Sequence, residues 1–225
     1  MIRAVVFDFD GVLANSEPLH FRAFRDVLEE EGIALTEGAY YERYLGYDDV
    51  EALRAIAADA HIRLDESQIA ALAARKAEHL EELERGASVL FPGARDAIVR
   101  MAGRGPIAIA SGALRVEIVR VLEREGLRGM FPVLVAAGDT PASKPNPAPY
   151  AKAVELLGEV TGRLVQSEEC VAVEDSRWGL QSAKGAGLHT VAITHSYPAG
   201  DLGEADAVIN HLDELTQQLL LSLSR

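Results

Sequence analysis

Short apolar runs recur along the chain, and stretches with the periodicity of amphipathic helices separate them. The apolar runs occur at 4–7, 106–110, 132–136, 170–173, 189–193 and, more weakly, 206–209. Between the later runs, the spacing of apolar residues predicts helices over 93–103, 114–125, 146–157, 177–185 and 211–221. Runs that are apolar throughout are typical of strands buried on both faces. Their alternation with helices predicts an α/β fold whose parallel sheet is covered on both faces.

The region from 17 to 87 departs from this alternation, because it contains helical patterns and no convincing strand. The predicted helices span 18–31, 37–44, 48–60 and 65–84. The last of them is rich in Ala, Glu, Leu, Arg and Lys, which are strong helix formers. The sheet pattern resumes only after Phe91-Pro92-Gly93. We therefore predict an α-helical domain over 17–87, inserted into a core that is formed by 1–16 and 88–225.

The composition limits the classes of function that this chain can perform. Its 225 residues are 48% hydrophobic and 25% charged, which is typical of a soluble globular protein. No apolar stretch approaches the roughly 20 residues of a membrane span, and the N-terminal residues do not resemble a signal peptide. A single cysteine, Cys170, excludes an internal disulfide and suits a reducing compartment. We expect a cytoplasmic protein in which this thiol is buried and unreactive.

The charge of the chain points away from polyanionic partners. The formal net charge of −13 argues against binding to nucleic acid or to an anionic membrane surface. A small anionic substrate would instead need local positive charge at its site. No exposed heptad or unpaired apolar stripe stands out, so we expect a monomer or a weak dimer.

Two aspartates, Asp8 and Asp10, follow the first apolar run and are separated by one residue. Side chains two positions apart in a strand project from the same face, so both carboxylates point into the same space where the strand ends. Open α/β sheets bind their ligands at these carboxyl ends. Like charges at close range resist joint ionisation, so the pair indicates a cation site or a role in proton transfer.

A second acidic pair, Glu174 and Asp175, follows the run 170–173 in the same way. Four carboxylates at neighbouring strand ends would repel one another strongly unless a cation lay between them. The ligands are oxygens alone, without a histidine or cysteine pattern, which favours Mg²⁺ over other metals.

Two further segments favour an anion at this edge of the sheet. Ser111-Gly112 follows the strand 106–110 and precedes a helix, where a hydroxyl and free N–H groups bind anions, although Ser-Gly is also an ordinary helix cap. Lys144 lies among Pro145, Pro147 and Pro149, and a stiffened backbone lowers the entropy lost when an ammonium binds phosphate. The alternative for Lys144 is a solvated side chain in a proline-rich turn.

Together these residues match the requirements of phosphate monoester hydrolysis, which is among the slowest of uncatalysed reactions. A cation, Lys144 and the donors at Ser111 supply the charge stabilisation that the reaction needs. Asp8 is positioned as a nucleophile that forms an aspartyl-phosphate. Asp10 can protonate the leaving oxygen and then activate water.

These segments, in their order along the chain, closely resemble the four motifs of the haloacid dehalogenase superfamily. The matching residues are Asp8-Phe9-Asp10-Gly11-Val12-Leu13, Ser111, Lys144-Pro145-Asn146-Pro147 and Glu174-Asp175-Ser176. The helical insertion after the first motif resembles the cap of the branch that contains phosphatases and β-phosphoglucomutases. The resemblance implies a Rossmann-like, three-layer core with an inserted α-helical cap.

The resemblance also implies roles for individual residues. Asp8 would be the phosphorylated nucleophile, and Asp10 the acid/base whose backbone carbonyl binds Mg²⁺. Ser111, Gly112 and Lys144 would bind the phosphate. Asp175 would bind the metal together with Asp8, and Glu174 would be a supporting or outer-shell acid. Dehalogenases of this superfamily lack the second aspartate, so Asp10 argues against dehalogenation.

The choice between hydrolase and mutase depends on the cap. His20 and Lys76 coincide with positions that β-phosphoglucomutases use, but the alternatives are an early-helix surface residue and a solvated helix face. Asp49 lies where those enzymes place an arginine for a second phosphate, and an acid would repel that group. The core segment at Arg115 does not reproduce the lysine and asparagine of the mutases, although Arg115 could engage a substrate anion. A phosphatase acting on a sugar phosphate or phosphoglycolate is therefore favoured over a mutase, and a non-catalytic phosphate-binding protein is disfavoured.

Other cap residues are candidates for substrate selection, because family members place specificity in this region. They are Phe24, Gly46, Tyr47, Asp49 and Ala52. Tyr40, Tyr44 and Tyr47 have helical spacing, and such stripes belong to a core more often than to a substrate platform. Tyr47, beside Gly46 in a predicted loop, is the tyrosine that we expect to face the cleft.

Overall fold

The computed structural model describes residues 1–44, 47, 49–85 and 88–223. The chain forms two compact units, of which the first comprises Met1–Asn15 and Leu90–Arg225 and the second comprises Ser16–Val89. The assignment of 17–87 as a separate cap domain remains our proposal. In the part of the chain that is described, no helix is long and apolar enough to cross a membrane.

The first unit contains a six-stranded sheet in which every neighbouring pair of strands is parallel. The strands are β1 (Ala4–Phe7), β2 (Ile107–Ala110), β3 (Val133–Val135), β4 (Cys170–Glu174), β5 (His189–Ile193) and β6 (Ala207–Ile209). Their order is β3-β2-β1-β4-β5-β6, which brings β1 and β4 together although about 160 residues separate them in sequence. All residues of β1, β2 and β4 are buried, as expected for a sheet covered on both faces. The predicted Rossmann-like α/β fold is confirmed.

Four helices of the second unit surround an apolar core of their own. They are α1 (Glu17–Glu30), α2 (Glu37–Ala39), α3 (Asp49–Asp59) and α4 (Glu66–Arg85). Phe24, Leu28, Leu53, Ile56 and Leu72 are among the buried residues of this core, and α4 packs against both α1 and α3. As predicted, the described part of this unit contains no strand.

The predicted helix over 37–44 is different in detail, because α2 is followed by a π-helical turn over Tyr40–Tyr44. Tyr40 and Tyr44 are both buried in the core of the second unit, which confirms that they belong to a core. The hydroxyl of Tyr40 donates to Glu17 at 2.8 Å and that of Tyr44 donates to Asp59 at 2.5 Å. These bonds satisfy the polar ends of two rings that are otherwise surrounded by apolar side chains.

The helices of the first unit cover its sheet. They are α5 (Ala94–Ala102), α6 (Arg115–Arg124), α7 (Ala148–Thr161), α8 (Arg177–Gly185) and α9 (Gln217–Leu223). Tyr150, Ala153 and Leu157 on α7 are buried against β2 and β3, where the alanines of β2 leave room for larger side chains from the helix. Cys170 is buried at the start of β4, and burial raises the pKa of its thiol to about 12, as expected for an unreactive cysteine.

The prediction of one helix over 211–221 is wrong. A 3-10 turn at Leu212–Glu214 precedes the much shorter α9. The guanidinium of Arg100 donates to the carbonyls of Leu212 and Leu215, at 2.9 and 3.2 Å. These two carbonyls thus form tertiary hydrogen bonds with a side chain that lies more than 100 residues away in the chain. A local sequence pattern does not reveal such bonds.

Candidate active site

The acidic site begins at Asp8, the first residue after β1. Its backbone N–H donates to the carbonyl of Val173 at 3.0 Å, which continues the pairing of β1 with β4. Phe7 lies opposite Val173 in the register, so Asp8 and Glu174 come from the same level of two adjacent strands. The carboxylate Oδ1 of Asp8 accepts from the N–H of Phe9 at 2.7 Å, which fixes the orientation of this side chain.

Of the four carboxylates predicted to meet at this edge of the sheet, three form one group in the described part of the chain, and Asp10 is not among them. Asp8, Glu174 and Asp175 are buried, and each offers an oxygen within 4.8 Å of the others. Burial and the charges of Asp8 and Glu174 raise the pKa of Asp175 to about 7. Burial and the charge of Asp8 also raise the pKa of Glu174. A divalent cation would relieve this repulsion, and a set of carboxylate oxygens is suited to Mg²⁺.

Lys144 supplies the positive charge in this cluster. Its ammonium lies 2.9 Å from Oδ1 of Asp8 and 2.5 Å from Oε1 of Glu174. Burial alone would lower the pKa of Lys144, but the two carboxylates outweigh that effect and raise it. The side chain is only 13% exposed, so the alternative of a solvated lysine in a proline-rich turn is wrong.

Glu174 is fully buried, and both of its carboxylate oxygens accept hydrogen bonds from side chains. Oε1 accepts from Lys144 and from the hydroxyl of Tyr150, at 2.5 and 2.6 Å, and Oε2 accepts from Ser176 at 3.3 Å. A Cβ at Gly179 would lie 1.9 Å from this carboxylate, so only glycine fits beside it. This arrangement favours the supporting role that the resemblance implies for Glu174, whereas its direct contact with a metal remains a prediction.

Gly11 allows the first motif to approach Asp175. Its φ of +75° lies in the left-handed region, and a Cβ there would meet Oδ2 of Asp175 at 1.9 Å. Asp10, just before it, is partly buried and forms a β-bridge with Ala14 at the other end of this turn. The structure thus places Asp10 at the beginning of the turn, and its acid/base role remains a prediction.

Ser111 and Gly112 lie at the carboxyl end of β2, beside a cavity of about 140 Å³. The hydroxyl of Ser111 accepts from the N–H of Ala113 at 3.2 Å, and Gly112 is exposed. Lys144, Thr140 and Ser143 also line the cavity. The residues predicted to bind phosphate therefore share one cavity, although their contact with phosphate remains a prediction.

The predicted cap residues His20, Asp49 and Lys76 come together within the second unit. Lys76 is fully buried, and its ammonium contacts Oδ1 of Asp49 at 2.7 Å and Nδ1 of His20 at 3.0 Å. The ammonium also lies 4.5 Å from the ring centre of Phe24. The alternative of a solvated helix face for Lys76 is therefore wrong, because this lysine is part of a buried polar cluster.

The remaining predicted substrate residues lie in varied surroundings. Tyr47 is 51% exposed, whereas Phe24 and Ala52 are buried in the core of the second unit. Gly46 lies outside the described residues. The guanidinium of Arg115 donates to the carbonyl of Leu134 at 2.9 Å and pairs with Asp139, so it supports the edge strand β3. Its contact with a substrate remains a prediction.

Two residues after β5 were not predicted from the sequence. The hydroxyl of Ser196 donates to Oδ2 of Asp175, and Nδ1 of His195 lies 2.9 Å from the carbonyl of Gly11. The strand-end reasoning that identified Asp8 and Asp175 applies equally to the end of β5, next to β4. A serine and a histidine after an apolar run are not acidic, so the pattern of strand-terminal acids did not indicate these two residues.

We expect Gly11→Ala to damage the site more than backbone strain alone explains. A Cβ at Gly11 meets Asp175, whereas one at Gly162, with a similar φ of +66°, meets nothing within 4 Å. Gly162→Ala should therefore lower the free energy of unfolding by about 1–2 kcal/mol and leave Mg²⁺ binding unchanged. Gly11→Ala should lower stability further and abolish Mg²⁺ binding, measured by urea unfolding and calorimetry. Equal effects of the two changes would contradict the close approach at Gly11.

The raised pKa of Asp175 predicts that the metal-free protein loses stability as pH increases. The folded state holds this proton up to about pH 7, whereas the unfolded chain releases it near 3.8. The free energy of unfolding should therefore decrease between about pH 4 and 7, by at most about 4 kcal/mol for this residue. Asp175→Asn should remove the part of this pH-dependent decrease that Asp175 causes. Asp96→Asn, on the exposed face of α5, should leave the decrease unchanged. Urea unfolding in EDTA at several pH values tests this, and identical pH profiles for all three proteins would refute it.

The pair between Asp49 and the buried Lys76 should stabilise the second unit. Asp49→Asn leaves the ammonium without its charged partner and should lower the free energy of unfolding by about 1–3 kcal/mol. Glu66→Gln breaks an ion pair with Arg54 that is largely exposed and screened by solvent, and it should lower the free energy of unfolding by much less. Urea unfolding of both variants tests this prediction. Equal decreases in the free energy of unfolding would mean that burial of Lys76 does not strengthen its ion pair with Asp49.

Comparisons with known proteins agree with this fold. A model of the family described as haloacid dehalogenase-like hydrolase matches residues 2–187. The phosphorylated carbohydrates phosphatase of Thermotoga maritima is 33% identical over 213 residues, which cover 92% of this chain and 93% of that protein.

Solved structures extend the comparison to the three-dimensional fold. CbbY from Rhodobacter sphaeroides, in complex with xylulose-(1,5)bisphosphate, superposes with a TM-score of 0.77 at 28% identity and covers 96% of each chain. A β-phosphoglucomutase from Clostridium difficile also has a TM-score of 0.77, covering 100% of this chain and 97% of that one, but at 20% identity it shows the fold alone. The chain therefore belongs to the haloacid dehalogenase-like hydrolases, which confirms both the resemblance drawn from its four motifs and the predicted enzyme class.

Proposed function

We propose that this protein is a Mg²⁺-dependent phosphatase that hydrolyses a small phosphorylated metabolite of the sugar phosphate or phosphoglycolate type. The observation that carries the proposal is the contact between Asp8 and Lys144, at 2.9 Å, within a cluster of buried carboxylates. A nucleophile beside a fixed ammonium is the arrangement that transfer of a negatively charged phosphoryl group requires.

Asp8 is the nucleophile in this proposal. Its carboxylate is oriented by the N–H of Phe9 and by Lys144, both of which contact Oδ1. Attack on phosphorus forms the aspartyl-phosphate and releases the alcohol of the substrate, and water then hydrolyses the acyl phosphate. This division replaces one slow displacement with two faster ones and regenerates the free carboxylate.

Lys144 and the end of β2 bind the phosphate. Lys144 and Ser111 line the same cavity of about 140 Å³, and Lys144 also contacts Asp8 at 2.9 Å, so we expect a phosphoryl group beside Asp8 to contact Lys144 and Ser111. Lys144 is itself held by Glu174, whose carboxylate is fixed by the buried hydroxyl of Tyr150. An ammonium held in this way loses little entropy when the charge of the transition state develops beside it.

Asp10 is the general acid and base. It lies at the beginning of the turn that follows Asp8, and it is only partly buried. It donates a proton to the departing alcohol in the first step and takes one from the attacking water in the second. Such a group contributes roughly 10²–10⁴-fold to the rate.

Asp8 and Asp175 are the residues that would hold Mg²⁺ by their side chains, with the Asp10 carbonyl as a further ligand and Glu174 in support. The fit rests on the buried carboxylates, since burial and the charges of Asp8 and Glu174 raise the pKa of Asp175 to about 7. When bound, the ion neutralises charge on the phosphoryl oxygens, which reduces their repulsion of the Asp8 carboxylate.

A sugar phosphate is the substrate class that the relatives support best. The Thermotoga maritima protein, at 33% identity, is named for phosphorylated carbohydrates. Within the second unit, the ammonium of Lys76 is already paired with Asp49, so its charge is compensated before any ligand arrives. A second phosphate would gain little from a compensated cation, which disfavours the mutase reaction on bisphosphorylated sugars.

We expect phosphate release from sugar phosphates to need both Mg²⁺ and Asp8. The panel contains several sugar phosphates, phosphoglycolate, nucleotides and a chromogenic ester, each assayed with Mg²⁺ and with EDTA. Asp8→Asn should lower release by at least about a thousandfold, whereas Asp96→Asn, a matched change on the exposed face of α5, should have no effect.

The same assays separate the competing functions. β-Glucose 1-phosphate is included, and glucose 6-phosphate is followed in parallel. Isomerisation without net phosphate release would identify a mutase and contradict the interpretation of Asp49. Binding of phosphate esters without any turnover would identify a non-catalytic binding protein, and turnover by Asp8→Asn would refute the covalent mechanism.

A further inference from the structure

The segment that follows β5 contacts two of the motifs at once. Nδ1 of His195 lies 2.9 Å from the carbonyl of Gly11 in the first motif, and the hydroxyl of Ser196 donates to Oδ2 of Asp175 in the fourth. A carbonyl only accepts, so Nδ1 of His195 is the protonated nitrogen and donates this bond. Two successive residues therefore connect the turn after Asp8 to the acid after β4.

This segment is anchored on two sides, which fixes the position of Ser196. The N–H of Thr194 donates to the carbonyl of Ile209 at 3.1 Å, which ties the segment to the end of β6. The ring of His195 stacks on Phe91, with centroids 3.8 Å apart and an interplanar angle of 18°. The N–H of Phe91 in turn donates to the carbonyl of Leu13 at 2.9 Å, so the stack is attached to the turn that carries the first motif.

The space beside Gly11 is where these groups meet. A Cβ at Gly11 would lie 1.9 Å from Oδ2 of Asp175 and 3.0 Å from the hydroxyl oxygen of Ser196. The carboxylate, the hydroxyl and the glycine backbone therefore pack directly against one another. A carboxylate held in this way cannot rotate freely about its Cβ–Cγ bond, because one oxygen is bonded to Ser196 and the backbone of Gly11 closes one side.

We propose that Ser196 is a positioning residue that orients the carboxylate of Asp175 for Mg²⁺, and that His195 anchors the segment carrying it. The proposal deepens the proposed function and rests on it, because it assigns Asp175 to the metal. Hydrogen-bond partners of ligating carboxylates fix the ligand before the ion arrives, and their loss commonly weakens metal affinity 10–100-fold. Ser196 acts through Asp175 and needs no contact with the substrate.

The test compares Mg²⁺ binding by Ser196→Ala, Ser196→Thr and the wild-type protein, measured by isothermal titration calorimetry without substrate. Ser196→Ala should weaken binding by about tenfold, whereas the hydroxyl of Ser196→Thr should restore it to within about twofold. Ser222→Ala is the matched control, since its hydroxyl donates to the carbonyl of Leu219 on α9. This control should bind Mg²⁺ as the wild type does.

Two further measurements separate positioning from a general loss of stability. Urea unfolding in EDTA reports the stability of each variant without metal. In the phosphatase assay, Ser196→Ala should need about tenfold more Mg²⁺ for half-maximal activity, while kcat at saturating Mg²⁺ stays near the wild-type value. If Ser196→Ala does not fold, His195→Phe, which keeps an aromatic ring against Phe91 and removes the donor to Gly11, should weaken Mg²⁺ binding in the same direction.

The outcomes distinguish this proposal from the proposed function. Mg²⁺ binding by Ser196→Ala equal to that of the wild type overturns the positioning role, whatever happens to stability. Wild-type protein that binds Mg²⁺ but releases no phosphate refutes the phosphatase and leaves the positioning role standing if Ser196→Ala binds more weakly. Wild-type protein that binds no Mg²⁺ overturns both.

Discussion

The repulsion among three buried carboxylates is the constraint around which the rest of the first unit is arranged. Asp8, Glu174 and Asp175 lie within a few ångströms of one another, where burial strengthens every charge interaction. Lys144 compensates part of this charge through contacts with Asp8 and Glu174. Burial, together with the charges of Asp8 and Glu174, still raises the pKa of Asp175 to about 7. The Mg²⁺ ion that we propose would compensate the remaining negative charge.

The order of the strands explains how the carboxylates meet. β1 and β4 are distant in sequence but adjacent in the parallel sheet, so both end at the same edge and at the same level. The small residues beside them are part of the same arrangement. The absence of a side chain at Gly11 allows Asp175 to approach the first motif, and the absence of one at Gly179 leaves space for the carboxylate of Glu174. At each of these two positions, a neighbouring carboxylate occupies the space that the side chain of any other residue would need.

The sequence predicted that Asp8, Glu174 and Asp175 lie close together, because strand-terminal acids follow directly from a buried apolar run. The fourth predicted member, Asp10, lies in the turn after β1 and is not part of this group. The sequence did not decide whether the ammonium of Lys144 is paired with carboxylates or solvated. The spacing of the prolines around Lys144 contains no information about its contacts with Asp8 and Glu174. The burial of Lys76 was equally hard to predict, because its ammonium contacts Asp49 and His20, which lie far from it in the chain. The 3-10 turn before α9 and the contact of Ser196 with Asp175 likewise arise from tertiary hydrogen bonds, which no local pattern encodes.

The proposed function depends on covalent phosphorylation of Asp8, which mass spectrometry of the acid-quenched enzyme can detect. The enzyme is mixed with its best substrate and Mg²⁺, quenched within the first turnover and digested. We expect the peptide that contains Asp8 to carry the mass of one phosphoryl group, and to lack it when Mg²⁺ is removed. A phosphoryl group on another residue, or rapid turnover with none on the enzyme, would contradict it.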